Sequence, residues 1–291
     1  LVGDATSRSL PLGFGTGNLR SFQGGISGRD AVRLLEAAFE SGIDLVDTAP
    51  SYGQGGAEES IGRLPDSIRS RLTVCSKVGI AYGRKAGLLG AVKPLLQPAI
   101  RLFPPLRRLA GASRSQMRAA GSMTLDLRPE TIRASLDGSL RRLRRERLDI
   151  LLFHDPDLAA FRDENVAALE ALRASGRIGA WGVSTRSPEV ARAAVTVAPL
   201  GWIQMPADPP WLAEAADVFP AAAAAGKRVI ANRVLSPLRS DAPPGGPSDV
   251  AGCFRLALRQ PGVVRILVGT TKRKHLEDNV AAMRRVIGEG R

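Results

Sequence analysis

Residues 128–184 read RPETIRASLDGSLRRLRRERLDILLFHDPDLAAFRDENVAALEALRASGRIGAWGVS, and this stretch decides the fold. In 128–146, Pro129 falls in the first turn of a helix. Ile132, Leu136, Leu140 and Leu143 recur at the spacing of one helical face. LDILLFH (148–154) then stays apolar for the length of a strand, without the polar alternation of a sheet that faces water on one side. ENVAALEALRASG (164–176) returns to helical spacing, and RIGAWGVS (177–184) is the next strand. The order is helix, strand, helix, strand.

The same rhythm extends in both directions. Upstream strands are expected at LPLGFG (10–15), IDLVDT (43–48) and LTVCSKV (72–78). Downstream strands are expected at GWIQM (201–205), KRVIANR (227–233) and VVRILVG (263–269). GRDAVRLLEAAFESG (28–42) reads as a helix with Val32, Leu35, Ala38 and Phe39 on one face and Gly42 as its stop. SPEVARAAVTVA (187–198), VAGCFRLALRQPG (250–262) and TKRKHLEDNVAAMRRVIG (271–288) fill the remaining helical slots. Eight strands alternating with helices predict an α/β chain folded as a (β/α)8 TIM barrel, one domain over residues 1–291. A doubly wound sheet is the competitor, but no linker or shift in composition divides the chain into halves. In a barrel, functional side chains are expected at the C-terminal strand ends.

Two segments interrupt the pattern. Residues 79–125 form a long insertion after the third strand, with Arg84, Lys85, Lys93, Arg101, Arg107, Arg108, Arg114 and Arg118 among Leu88, Leu89, Leu95, Leu96, Ile100, Leu102 and Phe103. The expectation is a basic lid over the barrel mouth that favours an anionic or amphipathic substrate, or that touches a membrane surface; a plain surface loop is the alternative. SPLRSDAPPGGPSD (236–249) is rich in Pro and Gly and reads as a flexible loop.

Composition narrows the class. The 291 residues are 44 % hydrophobic and 24 % charged, which supplies a sizeable core and excludes a mostly disordered chain. No apolar run approaches the ~20 residues of a membrane span. LVGDATSRSL reads as neither a signal peptide nor a transit sequence, and cytoplasm is the expected location. Cys75 and Cys253 are too few for a disulfide framework or a zinc site, and two histidines are too few for a metal-dependent hydrolase. The net charge of +13 favours anionic partners in general. Arg141, Arg142, Arg144 and Arg145 lack interleaved aromatics and read as a solvated helix end, so no nucleic-acid partner is expected.

Gly13-Phe14-Gly15-Thr16-Gly17 looks at first like a dinucleotide fingerprint. No helix opens at its last glycine, however, and tight turns near the barrel mouth explain these residues better. The polar residues at strand ends are more informative. The second strand ends at Asp47, with Tyr52 in the loop that follows; the third ends at Lys77 and the fourth at His154. Read singly, these are a structural ion pair, a loop tyrosine and a core histidine. Read together, they form a proton-transfer group. A phenol is a weak acid at neutral pH, and a neighbouring ammonium stabilises the phenolate left when the proton departs. Asp47 would hold that ammonium, and His154 would orient a carbonyl oxygen. No nucleophile is implied, so hydride must come from a cofactor.

GIDLVDTAPSYG with AEESIGR, then LTVCSKVG, LDILLFHDPD, GAWGVST and VGTTKRKHLEDN, in that order, resemble the aldo-keto reductases over nearly the whole chain. The resemblance implies a barrel using NADPH, with Tyr52 as general acid, Lys77 and Asp47 tuning it and His154 positioning a small-molecule carbonyl substrate. It places Ser184, Thr185 and Gln204 at the nicotinamide carboxamide, Ser236 and Leu238 at the pyrophosphate, and Gly269, Thr270, Thr271, Lys272, His275 and Asn279 around the adenosine phosphate. His275 is equally readable as an exposed residue of a helix's first turn. The chain departs from the family pattern at Thr185, usually Asn, at Ala207-Asp208, often Tyr-Asn, and at Leu235, commonly aromatic. An Arg expected near Thr271 is missing, although Lys272, Arg273 and Lys274 supply charge that favours NADP over NAD. A cofactor-binding regulatory protein with little turnover is the alternative reading.

Overall fold

Eight parallel strands close on themselves: β1 (Leu12–Gly15), β2 (Leu45–Asp47), β3 (Thr73–Val78), then β6 (Leu148–His154), β7 (Ile178–Ser184), β8 (Trp202–Pro206), β9 (Arg228–Asn232) and β10 (Val263–Val268), which pairs back with β1. This computed structural model describes residues 9–21, 25–82, 123–239 and 246–289. All eight expected strands are present, and the architecture is the expected (β/α)8 barrel. Two short strands outside the barrel, β4 (Ile80–Tyr82) and β5 (Met123–Leu125), pair antiparallel and bracket residues 83–122. The basic lid expected over 79–125 therefore lies, apart from its two ends, outside the described residues.

Alternation along each strand explains the apolar runs. Leu45, Cys75, Ile150, Leu152, Trp202 and Ile230 point inward and pack together inside the barrel. Their neighbours Val46, Val74, Leu151, Phe153, Val183, Ile203 and Val229 point outward onto the helices. Gly13 belongs to this interior and not to a turn. A Cβ built there would lie 2.6 Å from Leu45 Cδ2 and 2.7 Å from Leu267 Cδ2, so Gly13 makes room within β1 for the neighbouring strands' leucines. Gly182 is tighter, because its Cβ would fall 1.9 Å from the Trp202 carbonyl oxygen.

Among the described residues, the helices are α1 (Gly28–Glu40), α2 (Gly56–Gly62), α3 (Asp66–Arg69), α4 (Pro129–Leu143), α5 (Asp163–Ala174), α6 (Pro188–Thr196), α7 (Pro209–Ala215), α8 (Val218–Ala224), α9 (Val250–Leu258) and α10 (Arg273–Glu289). Ser27 caps α1 by accepting from the Asp30 amide at 3.1 Å, and Gly42 takes a left-handed φ of 97° just past its end. The buried face of α1 is Ala31, Leu34, Leu35, Ala37 and Ala38. It is rotated from the expected one, leaving Val32 and Phe39 half-buried at its edges. The stripe Ile132, Leu136, Leu140 and Leu143 of α4 is buried as expected. Among the described residues, no helix is long and apolar enough to cross a membrane.

Candidate active site

Continuing the inward alternation by one more step along each strand reaches polar side chains. Beyond Leu45 comes Asp47, beyond Cys75 comes Lys77, and beyond Leu152 comes His154. Ser184 and Asn232 end β7 and β9 in the same way, and Gln204 lies two residues beyond Trp202 within β8. The C-terminal rim is thus a ring of polar groups above an apolar plug.

Burial forces these groups to satisfy one another. Lys77 Nζ donates to Asp47 Oδ1 at 2.6 Å and to the Thr48 carbonyl at 2.9 Å, and the two charged side chains are only 1 % and 5 % exposed. Gln204 Nε2 donates to the same Asp47 oxygen at 2.7 Å, and Ser184 Oγ donates to Gln204 Oε1 at 2.5 Å. Thr16 Oγ1 closes the base of the group by donating to the Asp47 carbonyl at 3.0 Å. Ser184, Gln204, Asp47 and Lys77 therefore form one continuous buried chain.

Tyr52 enters from the loop after β2. Gly53, Gln54 and Gly55 follow it with φ of 59°, 55° and 88°, a left-handed run that turns the chain back into α2. At Gly53 a Cβ would sit 2.4 Å from Arg20 Cβ, so only glycine lets the loop after β1 pack against this turn. The phenol ring ends up buried, with Lys77 Nζ 4.9 Å from its centroid and the His154 ring 5.9 Å away, edge-on at 85°. The structure thus brings together all four residues expected to carry chemistry.

Burial alone would push Lys77 toward neutrality, but the Asp47 carboxylate, together with Tyr52 and Cys75, holds the ammonium above its ordinary value of 10.5. Lys77 is a fixed cation at physiological pH. Burial, reinforced by Asp47, pushes the Cys75 thiol well above its ordinary value, so this cysteine is a core residue and no nucleophile.

Above the ring lies a cavity of about 610 Å³, walled by Gly15, Gly17, Asn18, Asp47, Tyr52, Arg233, Leu235, Ser236, Arg239 and Gly269. Of the expected cofactor residues, Ser236 and Gly269 line this wall and Ser184 and Gln204 join it through Asp47. Thr185 is buried, and its hydroxyl accepts from the Ser187 amide at 3.0 Å just before α6. Leu238 is 38 % exposed and outside the wall. Thr270 Oγ1 accepts from the Lys272 amide at 3.0 Å at the approach to α10. Thr271 is half-buried there, Lys272 and His275 are exposed, and Asn279 is buried on the helix. The wall reaches Gly269 and stops short of this second group.

Sequence reasoning did not assign Asn18, Arg233 or Arg239 to the site and noted Asp208 only as a departure from the family pattern. Arg233 Nε and Ser236 Oγ both donate to Asp208 Oδ2, at 3.1 and 2.7 Å, which ties the loop after β9 to the end of β8. The signal available for Arg233 was its position directly after β9, one residue past the polar strand end Asn232.

The sequence profile described as Aldo/keto reductase family matches residues 11–241. D-threo-aldose 1-dehydrogenase of a Pseudomonas species is 30 % identical over 242 residues, 80 % of this chain and 68 % of that protein. The NADH-specific methylglyoxal reductase of Escherichia coli (strain K12) is 27 % identical over 180 residues, 60 % of this chain and 47 % of its own length. Among solved structures, PA4992 of Pseudomonas aeruginosa, assigned to the aldo-keto reductases, superposes with a TM-score of 0.73 at 27 % identity and covers 99 % of this chain and 95 % of its own. An aldo/keto reductase from Klebsiella pneumoniae, solved with NADP and acetate, has a TM-score of 0.64 at 22 % identity over 94 % of this chain and 85 % of its own; that likeness is one of fold.

Proposed function

The chain belongs to the aldo/keto reductase family, and from that premise we propose that it interconverts an aldehyde or ketone and an alcohol with a nicotinamide cofactor, NADP(H) in preference to NAD(H). The observation that carries this reading is the buried Lys77–Asp47 pair beneath the Tyr52 ring.

The residues present suit such a cofactor. The cavity volume is that of a small-molecule site, within roughly 300–1,000 Å³. Gly15, Gly17 and Gly269 line it without contributing side chains. Ser184 and Gln204 present a hydroxyl and an amide, the groups that pair with a carboxamide. When bound, the cofactor supplies hydride to the carbonyl carbon. As the carbonyl π electrons move onto oxygen, Tyr52 gives that oxygen its proton, and Lys77 stabilises the phenolate. Asp47 keeps Lys77 charged and in place, and His154, beside the phenol ring, fixes the carbonyl direction.

NADP is favoured by charge at the start of α10. Arg273 pairs with Glu277 and Lys274 with Asp278, whereas Lys272 has no ion pair among the described residues and is exposed where a ribose phosphate would lie. The NADH-specific E. coli relative argues for testing both nucleotides.

The test is turnover of aldehydes and ketones with NADPH and with NADH, followed by nicotinamide absorbance, beside fluorescence titration of each nucleotide. Turnover with NADPH supports the proposal. Tight nucleotide binding without turnover on any carbonyl favours a regulatory protein, a reading motivated by Thr185, whose hydroxyl is engaged at the start of α6.

A further inference from the structure

We propose that Arg233 is an anion-binding residue of the Tyr52 cavity, recognising a phosphate or carboxylate through its guanidinium. The inference builds on the reductase reading and adds a site to it. Three features of Arg233 converge.

Its position is the first. Arg233 and Tyr52 line the same cavity of about 610 Å³. Among the described residues, the charged side chains of that wall are Arg233, Arg239 and Asp47, and the Asp47 carboxylate is already neutralised by Lys77 at 2.6 Å. Arg233 therefore presents a guanidinium to the cavity, a group that favours an anion over a neutral ligand.

The second is orientation. Asp208, with a side chain only 4 % exposed, accepts from Arg233 Nε at 3.1 Å. That bond uses one edge of the guanidinium and leaves its terminal nitrogens without a partner among the described residues. A carboxylate behind and two free donors in front is the arrangement that receives an anion bidentately. Asp208 also accepts from Ser236 Oγ at 2.7 Å, so the residue expected at the pyrophosphate is fixed to the same anchor.

Conformation is the third. Arg233 has a φ of 56°, a left-handed backbone that side chains other than glycine rarely adopt. Such a conformation persists where the surrounding structure imposes it, and it gathers at functional sites.

The anion has two sources, the cofactor diphosphate and an acidic group on the carbonyl substrate. Arg233→Gln and Arg233→Lys distinguish them. The side chain is 54 % exposed, so both variants are expected to fold, with thermal melting as the check. Three measurements apply: fluorescence titration with NADPH, calorimetric titration with inorganic pyrophosphate, and steady-state kinetics on 4-carboxybenzaldehyde against benzaldehyde at saturating cofactor. A cofactor role predicts NADPH and pyrophosphate affinities lowered roughly 10- to 100-fold in Arg233→Gln, less in Arg233→Lys, with both aldehydes handled as by the unmodified enzyme. A substrate role predicts unchanged NADPH affinity and a similar loss in kcat/KM confined to the carboxylated aldehyde. Either pattern supports the site. If all three readings are unchanged in Arg233→Gln, or if the unmodified protein binds neither NADPH nor pyrophosphate and shows no preference for the carboxylated aldehyde, the site is overturned. An unmodified protein that binds pyrophosphate through Arg233 but neither binds nor turns over nicotinamides would instead sink the reductase reading alone.

Discussion

Gln204 Nε2 lies 2.7 Å from Asp47 Oδ1, the oxygen that also receives Lys77 Nζ at 2.6 Å. With its other end accepting from Ser184 Oγ at 2.5 Å, one amide touches both the expected carboxamide contact and the proton-transfer group. A carboxamide inserted between Ser184 and Gln204 would replace the bond between them and leave the bond to Asp47 intact. Gln204→Met keeps length and bulk but deletes donor and acceptor. It is expected to raise the KM for cofactor and also to lower kcat at saturating cofactor, each by about tenfold. Steady-state kinetics decides: a change in KM alone would restrict Gln204 to holding the nucleotide.

Tyr52→Phe removes one hydroxyl from a ring already packed against Lys77 and His154. If that hydroxyl is the proton donor, turnover should fall by about 10²- to 10⁴-fold while NADPH affinity stays within about twofold. Stopped-flow reduction paired with nucleotide titration measures both. Near-normal turnover would remove Tyr52 from the acid role.

The barrel was legible because parallel strands buried on both faces leave uninterrupted apolar runs, and LDILLFH (148–154) matches β6 end to end. Asp47, Lys77 and His154 were legible for the converse reason: a charged or polar residue ending such a run has to be accounted for. The short helices α7 and α8 were not, because 218–224 is VFPAAAA and carries no polar face against which periodicity could show. Nor was the bond from Gln204 to Asp47, which joins a neutral amide to a carboxylate 157 residues away. The glycines at 13 and 15 invited a turn reading because their role, making room for Leu45 and Leu267 in the case of Gly13, depends on which strands become neighbours.

Coenzyme choice should turn on Lys272. Its neighbours Arg273 and Lys274 are engaged with Glu277 at 3.0 Å and Asp278 at 2.8 Å. Among the described residues, Lys272 is therefore the cation of this turn without an ion pair, and the one proposed to meet a ribose phosphate. Lys272→Glu is expected to weaken NADPH binding by roughly tenfold and to leave NADH binding nearly unchanged. Parallel fluorescence titrations of the two nucleotides read the ratio. Equal losses would mean that Lys272 does not discriminate between them.

Lys77 sets both the stability of the rim and its response to alkali. Lys77→Met would strand the Asp47 carboxylate in a buried site without its counter-charge, and breaking a buried pair from one side costs about 3–5 kcal/mol. Asp47→Asn combined with Lys77→Met removes both charges, so the double variant should be more stable than Lys77→Met alone, which urea denaturation can measure. The pH dependence follows from the raised Lys77 value. A cation whose folded value lies above its ordinary 10.5 stabilises the fold fully below that ordinary value, and the contribution is lost as pH rises through the folded value. Between about pH 6 and 9 this pair should therefore add no slope to the unfolding free energy, and its loss should set in only in strong alkali. In Lys77→Met that alkaline component should be absent. An unfolding free energy with the same alkaline decline in both proteins would show that Lys77 is not the group titrating there.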